Sequence, residues 1–288
     1  MNRPPRILLF DSGLGGLTVA RAVRALIPEA HYLYAADNAA FPYGDWDEPV
    51  LVERIVAVMA SLIAAGRPDV VVVACNTAST LTLARLRETF SVPFVGTVPA
   101  IKPAAERTTS RIIGVLATPG TVNREYTQAL IHTFAFHCRV VLHGAPRLAS
   151  LAEAKLKGTA PDLRAVHDEI RPVFRRRNGQ RTDTVVLGCT HYPLLLPELE
   201  AASPWPVSFI DPAPAIARQT ANVVESMPQD EVDGDDPARD GTVFLTSERG
   251  LSPANLAIYA THGFASPVVV EMAIQVSPSR TVDHPADQ

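Results

Sequence analysis

Residues 71–77 read VVVACNT, an apolar run that ends at a cysteine, and residues 184–191 repeat the pattern as TVVLGCTH. Each apolar run is short and valine-rich, which favours a buried strand of a parallel sheet. We therefore expect Cys75 and Cys189 at the carboxyl ends of two strands, where open α/β sheets bind their ligands. Two thiols in equivalent positions predict one site with two chemically similar sides.

A strand, loop and helix pattern precedes each cysteine. Residues 6–10, RILLF, read as a strand and lead into the loop DSGLGG at 11–16 and then into an amphipathic helix. Residues 111–116, RIIGVL, read as a second strand and lead into the loop ATPGT at 117–121 and again into a helix. The recurrence predicts an α/β fold of two pseudo-symmetric lobes, each a mainly parallel sheet flanked by helices, with the active site in the cleft between them.

Prolines mark the places where the chain is expected to cross between the lobes. Pro99 and Pro103 stiffen the first crossing, and a return crossing is expected near Pro212. The predicted first lobe comprises residues 1–98 and 211–288, and the predicted second lobe comprises residues 99–210.

The last part of the chain is expected to complete the first lobe. Residues 213–227 read as a helix, and the apolar residues 243–245 and 268–270 read as late strands. The acidic segment 228–241 is interrupted by glycine and proline, which predicts solvated chain without fixed structure. Residues from 278 onward are expected to form a frayed polar tail.

Composition narrows the function classes. The 288 residues carry a formal net charge of −4, so we do not expect nucleic acid as the principal partner. No apolar stretch approaches the roughly 20 residues of a membrane span, and MNRPPR at 1–6 leads directly into a strand rather than a signal sequence. We therefore expect a cytoplasmic protein. Its three cysteines, an odd number at wide spacing, predict reduced thiols.

Two thiols that face one carbon atom can invert its configuration. One thiolate removes a proton while the other thiol delivers a proton to the opposite face. We expect a helix N-terminus beside each cysteine to lower the pKa of its thiol. None of the lysines Lys102, Lys155 and Lys157 is a convincing Schiff-base residue. We therefore expect neither a cofactor nor a metal.

Several polar residues near the cysteines are candidates to assist. Asp11 and His191 occupy comparable places in the two halves and are expected to tune the neighbouring thiols. Asp37 and Glu153 are further candidate acid-base groups. Side chains able to donate hydrogen bonds to a substrate carboxylate follow each cysteine, namely Asn76, Thr77 and Thr190.

Four motifs together resemble the cofactor-independent aspartate/glutamate racemases, and the glutamate racemases in particular. They are DSGLGGL at 11–17, PYG at 42–44, ACNTA at 74–78 and LGCTHYPL at 187–194. The resemblance implies that Cys75 exchanges the Cα proton of D-glutamate and that Cys189 exchanges that of L-glutamate. It further implies D-glutamate supply for peptidoglycan, and a homodimer.

The resemblance also assigns the remaining site residues. Asp11 and Asp37 would assist Cys75, His191 would assist Cys189, and Glu153 would be a further catalytic group. The substrate would be lined by Asp11, Ser12, Tyr43, Gly44, Asn76, Thr77, Thr121, Thr190 and His191.

Other interpretations stay open. A related racemase could act on aspartate, and a two-lobed binding protein could close on an amino acid without turnover. A thiol oxidoreductase is disfavoured because the chain has no Cys-x-x-Cys pair, and the glycines at 13–16 lack the spacing of a dinucleotide fingerprint. Asp11 could simply cap a helix. Cys138 is expected to be a small buried hydrophobic residue.

Overall fold

The computed structural model of the protein describes residues 3–227 and 240–270. The strands of this part of the chain are β1 Arg6–Asp11, β2 His31–Ala36, β3 Val70–Val73, β4 Phe94–Gly96, β5 Ile112–Ala117, β6 Arg139–Gly144, β7 Arg176–Arg177, β8 Gln180–Arg181, β9 Thr184–Gly188, β10 Ser208–Ile210, β11 Thr242–Leu245 and β12 Ser266–Val269. The α-helices are α1 Leu17–Leu26, α2 Glu48–Gly66, α3 Asn76–Thr89, α4 Ile101–Arg107, α5 Pro119–Val122, α6 Glu125–Phe134, α7 Leu148–Leu156, α8 Leu163–Ile170, α9 Leu196–Ala202, α10 Ala213–Ser226 and α11 Pro253–Thr261.

The larger sheet has six parallel strands in the order β12-β11-β2-β1-β3-β4. Every residue of its central strand β1 is buried. Successive side chains of a strand point to opposite faces of the sheet, so both faces at β1 are covered. Ile7 and Leu9 pack into the apolar cluster on one face, whereas Leu8 and Phe10 pack into the cluster on the other. This two-sided burial explains why the strand reads as a continuous apolar run.

The smaller sheet has four parallel strands in the order β10-β9-β5-β6. Its central strands β5 and β9 are also buried throughout. Val185 and Leu187 of β9 face one apolar cluster, and Val186 faces the other. The fold is therefore α/β, with two parallel sheets flanked by helices, as predicted.

Each cysteine lies just after the end of a strand. That strand pairs with the strand that leads into a loop motif. β3 pairs with β1 and ends just before Cys75, while β9 pairs with β5 and ends just before Cys189. The two halves thus share a local arrangement, although their sheets differ in size. This pairing brings each loop and each cysteine to the carboxyl edge of the same sheet.

Sheet membership follows the chain in three blocks. The described strands up to Gly96 and from Thr242 onward belong to the six-stranded sheet, and strands between Ile112 and Ile210 form the four-stranded sheet and a small hairpin. β11 and β12 correspond to the late strands expected in the first lobe. The lobe boundaries themselves stay a prediction. The expected acidic loop, apart from residues 240 and 241, and the expected tail lie outside the described residues.

Among the described residues, α2 is long and apolar enough to cross a membrane by length and composition. In the structure α2 packs against the six-stranded sheet through buried residues that include Leu51, Ile55 and Met59. Its apolar character is therefore accounted for by the contact with the sheet.

Candidate active site

The two cysteines face one cleft between the carboxyl ends of the two sheets. The space between the lining residues is about 340 Å³, part of which is open to solvent. It is lined by Ser12, Phe41, Pro42, Tyr43, Gly44, Cys75, Asn76, Thr77, Thr118, Ala149, Cys189, Thr190 and His191. The sequence motifs from both halves of the chain therefore meet at a single site.

Cys75 lies at the N-cap of α3 and is almost completely buried. Its Sγ is 3.8 Å from Oγ of Ser12. Burial and the nearby Asp11 carboxylate raise the pKa of the Cys75 thiol to about 12, against the lowering effect of a backbone hydrogen bond from Ala78. The expectation that the helix N-terminus lowers this pKa is wrong, because the cost of charging a buried thiol exceeds the help from the helix. Cys75 therefore holds its proton at neutral pH.

Cys189 has a different set of partners. Its Sγ is 3.8 Å from Nδ1 of His191, and Nε2 of the same ring is 3.3 Å from Oε1 of Glu153. Burial alone would lower the pKa of His191, but the hydrogen bonds to Cys189 and Glu153 outweigh it and raise the pKa to about 10. The imidazole is therefore placed to hold a proton beside the Cys189 sulfur.

Glu153 completes this arrangement from α7. Burial opposes its ionisation, yet the hydrogen bond to His191 and the backbone N–H of Leu14 lower the pKa of the carboxyl to about 2. Lys157 also contacts the carboxylate at 3.1 Å. The structure thus brings Glu153 to the second cysteine through His191, although Glu153 does not line the cleft itself.

Asp11 lies at the end of β1 and is fully buried. One carboxylate oxygen accepts the backbone N–H of Gly13, and the other accepts the hydroxyl of Thr190 at 3.0 Å. Burial raises the pKa of Asp11 against the lowering effect of His191. Asp11 therefore shapes its own loop and also joins the first lobe to the residue that follows Cys189. Its proposed assistance to Cys75 stays a prediction.

The glycines of the first loop permit the close approach of the two lobes. A Cβ atom on Gly15 would lie 2.5 Å from both Nδ1 of His191 and Oγ1 of Thr190. A Cβ atom on Gly13 would lie 2.5 Å from Oε1 of Glu153. Contacts with the second lobe therefore require glycine at these two positions. The glycine-rich motif is explained by this packing and needs no bound nucleotide.

The side chain of Asn76 is the clearest sign that the cleft is built for a polar ligand. Asn76 is 2% exposed, and neither its amide nitrogen nor its amide oxygen has a hydrogen-bond partner. Buried polar groups are nearly always paired, because an unpaired one costs roughly 1–3 kcal/mol. Since Asn76 lines the cleft, a polar ligand bound there would supply the missing partner.

Threonine hydroxyls connect the two lobes on the Cys75 side. Oγ1 of Thr77 is 2.9 Å from Oγ1 of Thr118 and 3.3 Å from Oγ1 of Thr121. Thr118 lines the cleft, whereas Thr121 does not line it and contacts the hydroxyl of Thr118 at 2.9 Å. The substrate-lining role expected for Thr121 stays a prediction, and Thr118 is a lining residue that the motif analysis did not single out.

The carboxylate of Asp37 is fully engaged by other residues. It pairs with Arg54 and accepts hydrogen bonds from the hydroxyls of Tyr43 and Thr246, at 2.7 and 2.6 Å. Asp37 does not line the cleft, but Tyr43 does, next to Gly44. The geometry thus connects Asp37 to the site through Tyr43, and a direct role for Asp37 in proton transfer stays a prediction.

Phe41 is a site residue that the sequence analysis missed. Its ring lies over His191 with centroids 5.4 Å apart, and it packs against the apolar cluster of the second lobe. Phe41 follows β2 in the first lobe, so its contact with His191 crosses the cleft. Its only sequence signal was its place before the PYG motif, which did not reveal the partner.

The described residues contain no group of three or more His, Cys, Asp or Glu side chains that could hold a metal ion. The lysines also lie away from the cleft lining. Lys155 pairs with Glu198, and Lys157 pairs with Glu153. The chemistry that the lining residues offer is proton transfer by thiols and hydrogen bonding to a small polar ligand.

An α/β fold with two cysteines lining one cleft fits the class of enzymes that transfer protons at two faces of a small molecule. A family model described as Asp/Glu/Hydantoin racemase matches residues 18–220, which is more than half of the chain. The chain therefore belongs to the Asp/Glu/hydantoin racemase family.

Similar proteins narrow the assignment within this family. The chain is 55% identical to the glutamate racemase of Brucella anthropi over 226 residues, which cover 78% of this chain and 81% of that protein. It is 50% identical to the glutamate racemase of Brucella canis over 244 residues, which cover 84% and 87% of the two chains.

Solved structures agree with the sequence relatives. The Escherichia coli glutamate racemase, solved in complex with L-glutamate and the activator UDP-MurNAc-Ala, matches with a TM-score of 0.85 and 43% identity. The match covers 93% of this chain and 99% of that one. The protein is therefore an isomerase, an amino-acid racemase of the glutamate racemase group.

Proposed function

We propose that the protein interconverts L- and D-glutamate by proton transfer between Cα and two cysteines, without a cofactor. The observation that carries this proposal is the pair of buried thiols lining one cleft with unlike partners. Cys75 retains its proton because burial raises its pKa, whereas Cys189 lies beside an imidazole that retains a proton. For the L-to-D direction we assign Cys75 the role of proton donor and Cys189 the role of proton acceptor.

In the L-to-D direction, the Cys189 sulfur removes the Cα proton while His191 remains protonated. The Cys75 thiol then donates its proton to the opposite face of Cα, which inverts the centre. The reaction leaves Cys189 as a thiol and Cys75 as a thiolate, so the reverse reaction or proton exchange with solvent restores the starting state. Glu153 holds the His191 ring and favours its protonated form.

The negative charge that develops on the substrate must be stabilised by hydrogen-bond donors. We assign the α-carboxylate to the amide of Asn76, which lines the cleft and is unpaired. Donors placed before the reaction add to the rate because they need no reorganisation during the proton transfer. Ser12, Tyr43 and Gly44 line the remaining wall and are assigned to the rest of the substrate.

The cellular role follows from the resemblance to glutamate racemases. We propose that the enzyme supplies D-glutamate for peptidoglycan synthesis in the cytoplasm and that it acts as a homodimer. The dimer is tested by light scattering coupled to size-exclusion chromatography, where a mass near the 31.0 kDa of one chain would contradict it.

Proton NMR in D₂O tests the reaction directly. Purified protein with L-glutamate, without added pyridoxal phosphate or metal, should lose the Cα proton signal while D-glutamate accumulates. Aspartate offered in parallel distinguishes the two substrates. Exchange of aspartate alone would keep the racemase class but change the substrate. Absence of exchange with either amino acid would contradict the proposal and favour a binding protein that closes on its ligand.

A further inference from the structure

A small arginine-rich hairpin, formed by β7 and β8, occurs along the chain between β6 and β9 of the four-stranded sheet. β7 and β8 form an antiparallel pair joined by Asn178 and Gly179, which both have positive φ, at 50° and 78°. This Asn-Gly turn fits the right-handed twist of a hairpin, so the turn holds the strands in a fixed register. The hairpin is therefore a preformed surface feature.

Five exposed arginines lie in or beside the hairpin. They are Arg171, Arg175, Arg176, Arg177 and Arg181. None of the five has an ion pair with a carboxylate in residues 3–227 or 240–270. A formal net charge of −4 for the whole chain therefore conceals a local basic surface.

The hairpin places two like charges directly opposite each other. Arg176 pairs with Arg181 across the strands, an arrangement that destabilises an isolated sheet. The guanidinium carbons of both lie over the ring of Trp205, at 4.8 and 5.5 Å from its centroid. Trp205 is itself fixed by a hydrogen bond from its indole N–H to the carbonyl of Thr182. The structure thus holds the two guanidinium groups close together despite their repulsion. An anion bound beside both groups would reduce that repulsion.

The tip of the hairpin is polar, with Arg177, Asn178 and Gln180 exposed. Arginine, asparagine and glutamine are the side chains that bond base edges in the DNA major groove. At ~3.3 Å per residue, the hairpin projects by about 8–10 Å, close to the depth of that groove, which admits a two-stranded ribbon. The arginines at the foot of the hairpin are suited to the phosphates on either side.

We propose that the hairpin Arg176–Arg181, with Arg171 and Arg175 at its foot, is a secondary surface that binds duplex DNA through the major groove. This binding is distinct from the racemase site and needs no residue of the cleft. An absence of apolar side chains at the tip makes a lipid surface a poorer fit, since membrane-inserting segments carry such residues.

Fluorescence anisotropy with a labelled 20-base-pair DNA duplex tests the proposal, with the full chain titrated at 50 to 200 mM salt. About four phosphate contacts give a slope of roughly −3 to −4 for log affinity against log salt. The triple variant Arg176→Gln, Arg177→Gln, Arg181→Gln should bind at least tenfold more weakly, with the slope reduced by about 2 to 3. Its racemase activity should remain unchanged.

A matched control removes the same charge elsewhere. The variant Arg107→Gln, Arg139→Gln, Arg218→Gln changes three exposed arginines outside the hairpin and should bind the duplex as the unaltered protein does. Equal losses in both triple variants would overturn the proposal, because they would reflect net charge alone. The single change Arg177→Glu at the exposed tip should also weaken binding, which keeps the test valid if the triple variant does not fold.

Two competitors decide the class of partner. Poly-glutamate or anionic phospholipid vesicles, at equal charge concentration, should displace the duplex poorly. Displacement by poly-glutamate as effective as by unlabelled duplex would overturn the proposal in favour of an acidic protein partner. Binding to the vesicles with no binding to the duplex would overturn it in favour of a membrane surface.

Discussion

The surroundings of Cys75 and Cys189 differ far more than the backbone that presents them. Both thiols follow a central parallel strand and are 6–7% exposed. Cys75 lies beside a hydroxyl and a buried carboxylate, so burial and negative charge raise its pKa to about 12. Cys189 lies beside His191, and the hydrogen bonds of the imidazole to Cys189 and Glu153 raise its pKa to about 10 against the lowering effect of burial.

This difference teaches that pseudo-symmetry of the fold does not imply symmetry of the acid-base chemistry. A reaction that takes a proton from one face and returns one to the other needs one proton donor and one acceptor at each moment. Two identical surroundings would give both cysteines the same protonation state. In the proposed mechanism, the unlike partners of the two cysteines make one of them the donor and the other the acceptor.

The largest effect is expected from removing either thiol. Cys75→Ser and Cys189→Ser should each lower kcat/KM for racemisation by about 10³-fold or more, because the hydroxyl is a far weaker acid and base at neutral pH. Coupled enzymatic assay of D-glutamate formation measures the loss. Cys138→Ser, away from the cleft, is the matched control and should retain full activity. Substantial activity in either site variant would contradict the two-cysteine mechanism.

Removing the imidazole should make the two sides more alike. His191→Asn should lower kcat/KM by about 10²-fold, since it deprives Cys189 of its proton partner. Enantiomers are equal in free energy, so kcat/KM must fall equally in both directions. The asymmetry should instead appear as a larger Cα-deuterium isotope effect with L-glutamate than with D-glutamate. His132→Asn, on the exposed surface, should change neither quantity. Equal isotope effects would contradict the assignment of His191 to the Cys189 side.

A methyl group in the first loop should disturb the same side sterically. Gly15→Ala places a Cβ atom 2.5 Å from both His191 and Thr190, so the ring must move. We expect kcat to fall by about tenfold or more, because displacements near 1 Å at a catalytic group are costly. Gly120→Ala is the control, since its Cβ atom meets no atom closer than 3.7 Å. Equal activity of the two variants would show that the loop does not position His191.

The Glu153 carboxylate should set the pH range of the enzyme. Glu153→Gln replaces the charged acceptor that raises the pKa of His191 with a neutral, weaker one, so the alkaline limb of the kcat/KM profile should move down by about one pH unit. A profile identical to that of the unaltered enzyme would contradict this assignment.

The same pair predicts how stability changes with pH. The lowered pKa of Glu153 adds to the free energy of unfolding. This contribution is fully present above pH 4.5 and is lost as the pH falls towards 2. The raised pKa of His191 gives stability that is present below 6.5 and is lost as the pH rises towards 10. Thermal unfolding between pH 3 and pH 10 should therefore show a flatter profile in Glu153→Gln.

The smallest effect is expected on the Cys75 side, at the hydroxyl of Tyr43. Tyr43→Phe removes the 2.7 Å hydrogen bond to Asp37 but leaves the Arg54 and Thr246 contacts of that carboxylate. The free energy of unfolding should fall by about 1 kcal/mol, measured by urea denaturation. Activity should fall only a few-fold. A loss as large as that of His191→Asn would show that Asp37 and Tyr43 act directly in proton transfer.

The sequence was sufficient for the fold and for much of the site lining. Apolar runs followed by cysteines located β3 and β9, because a strand buried on both faces has a recognisable composition. Contacts across the cleft could not be read in the same way. The ring of Phe41 on His191, and Asp37 held by Arg54, Tyr43 and Thr246, join residues distant in sequence.

Local patterns also failed to give the pKa of Cys75. The sequence places this thiol at a helix N-terminus, which favours the thiolate. How deeply it is buried, and how close the Asp11 carboxylate comes, depend on the packing of strands far apart in the chain. Those two effects prevail, so the direction of the shift could be found only from the structure.

The pairing of β2 with β11 has a consequence for folding during synthesis. Leu33 of β2 lies beside Thr242 of β11. The six-stranded sheet therefore cannot be completed until residue 242 and those after it have left the ribosome. The four-stranded sheet is complete by Ile210 and can form earlier. Until β11 arrives, β2 presents an unpaired edge that can join other chains. A chain that stops before residue 242 would therefore be prone to aggregate, even though it contains both cysteines.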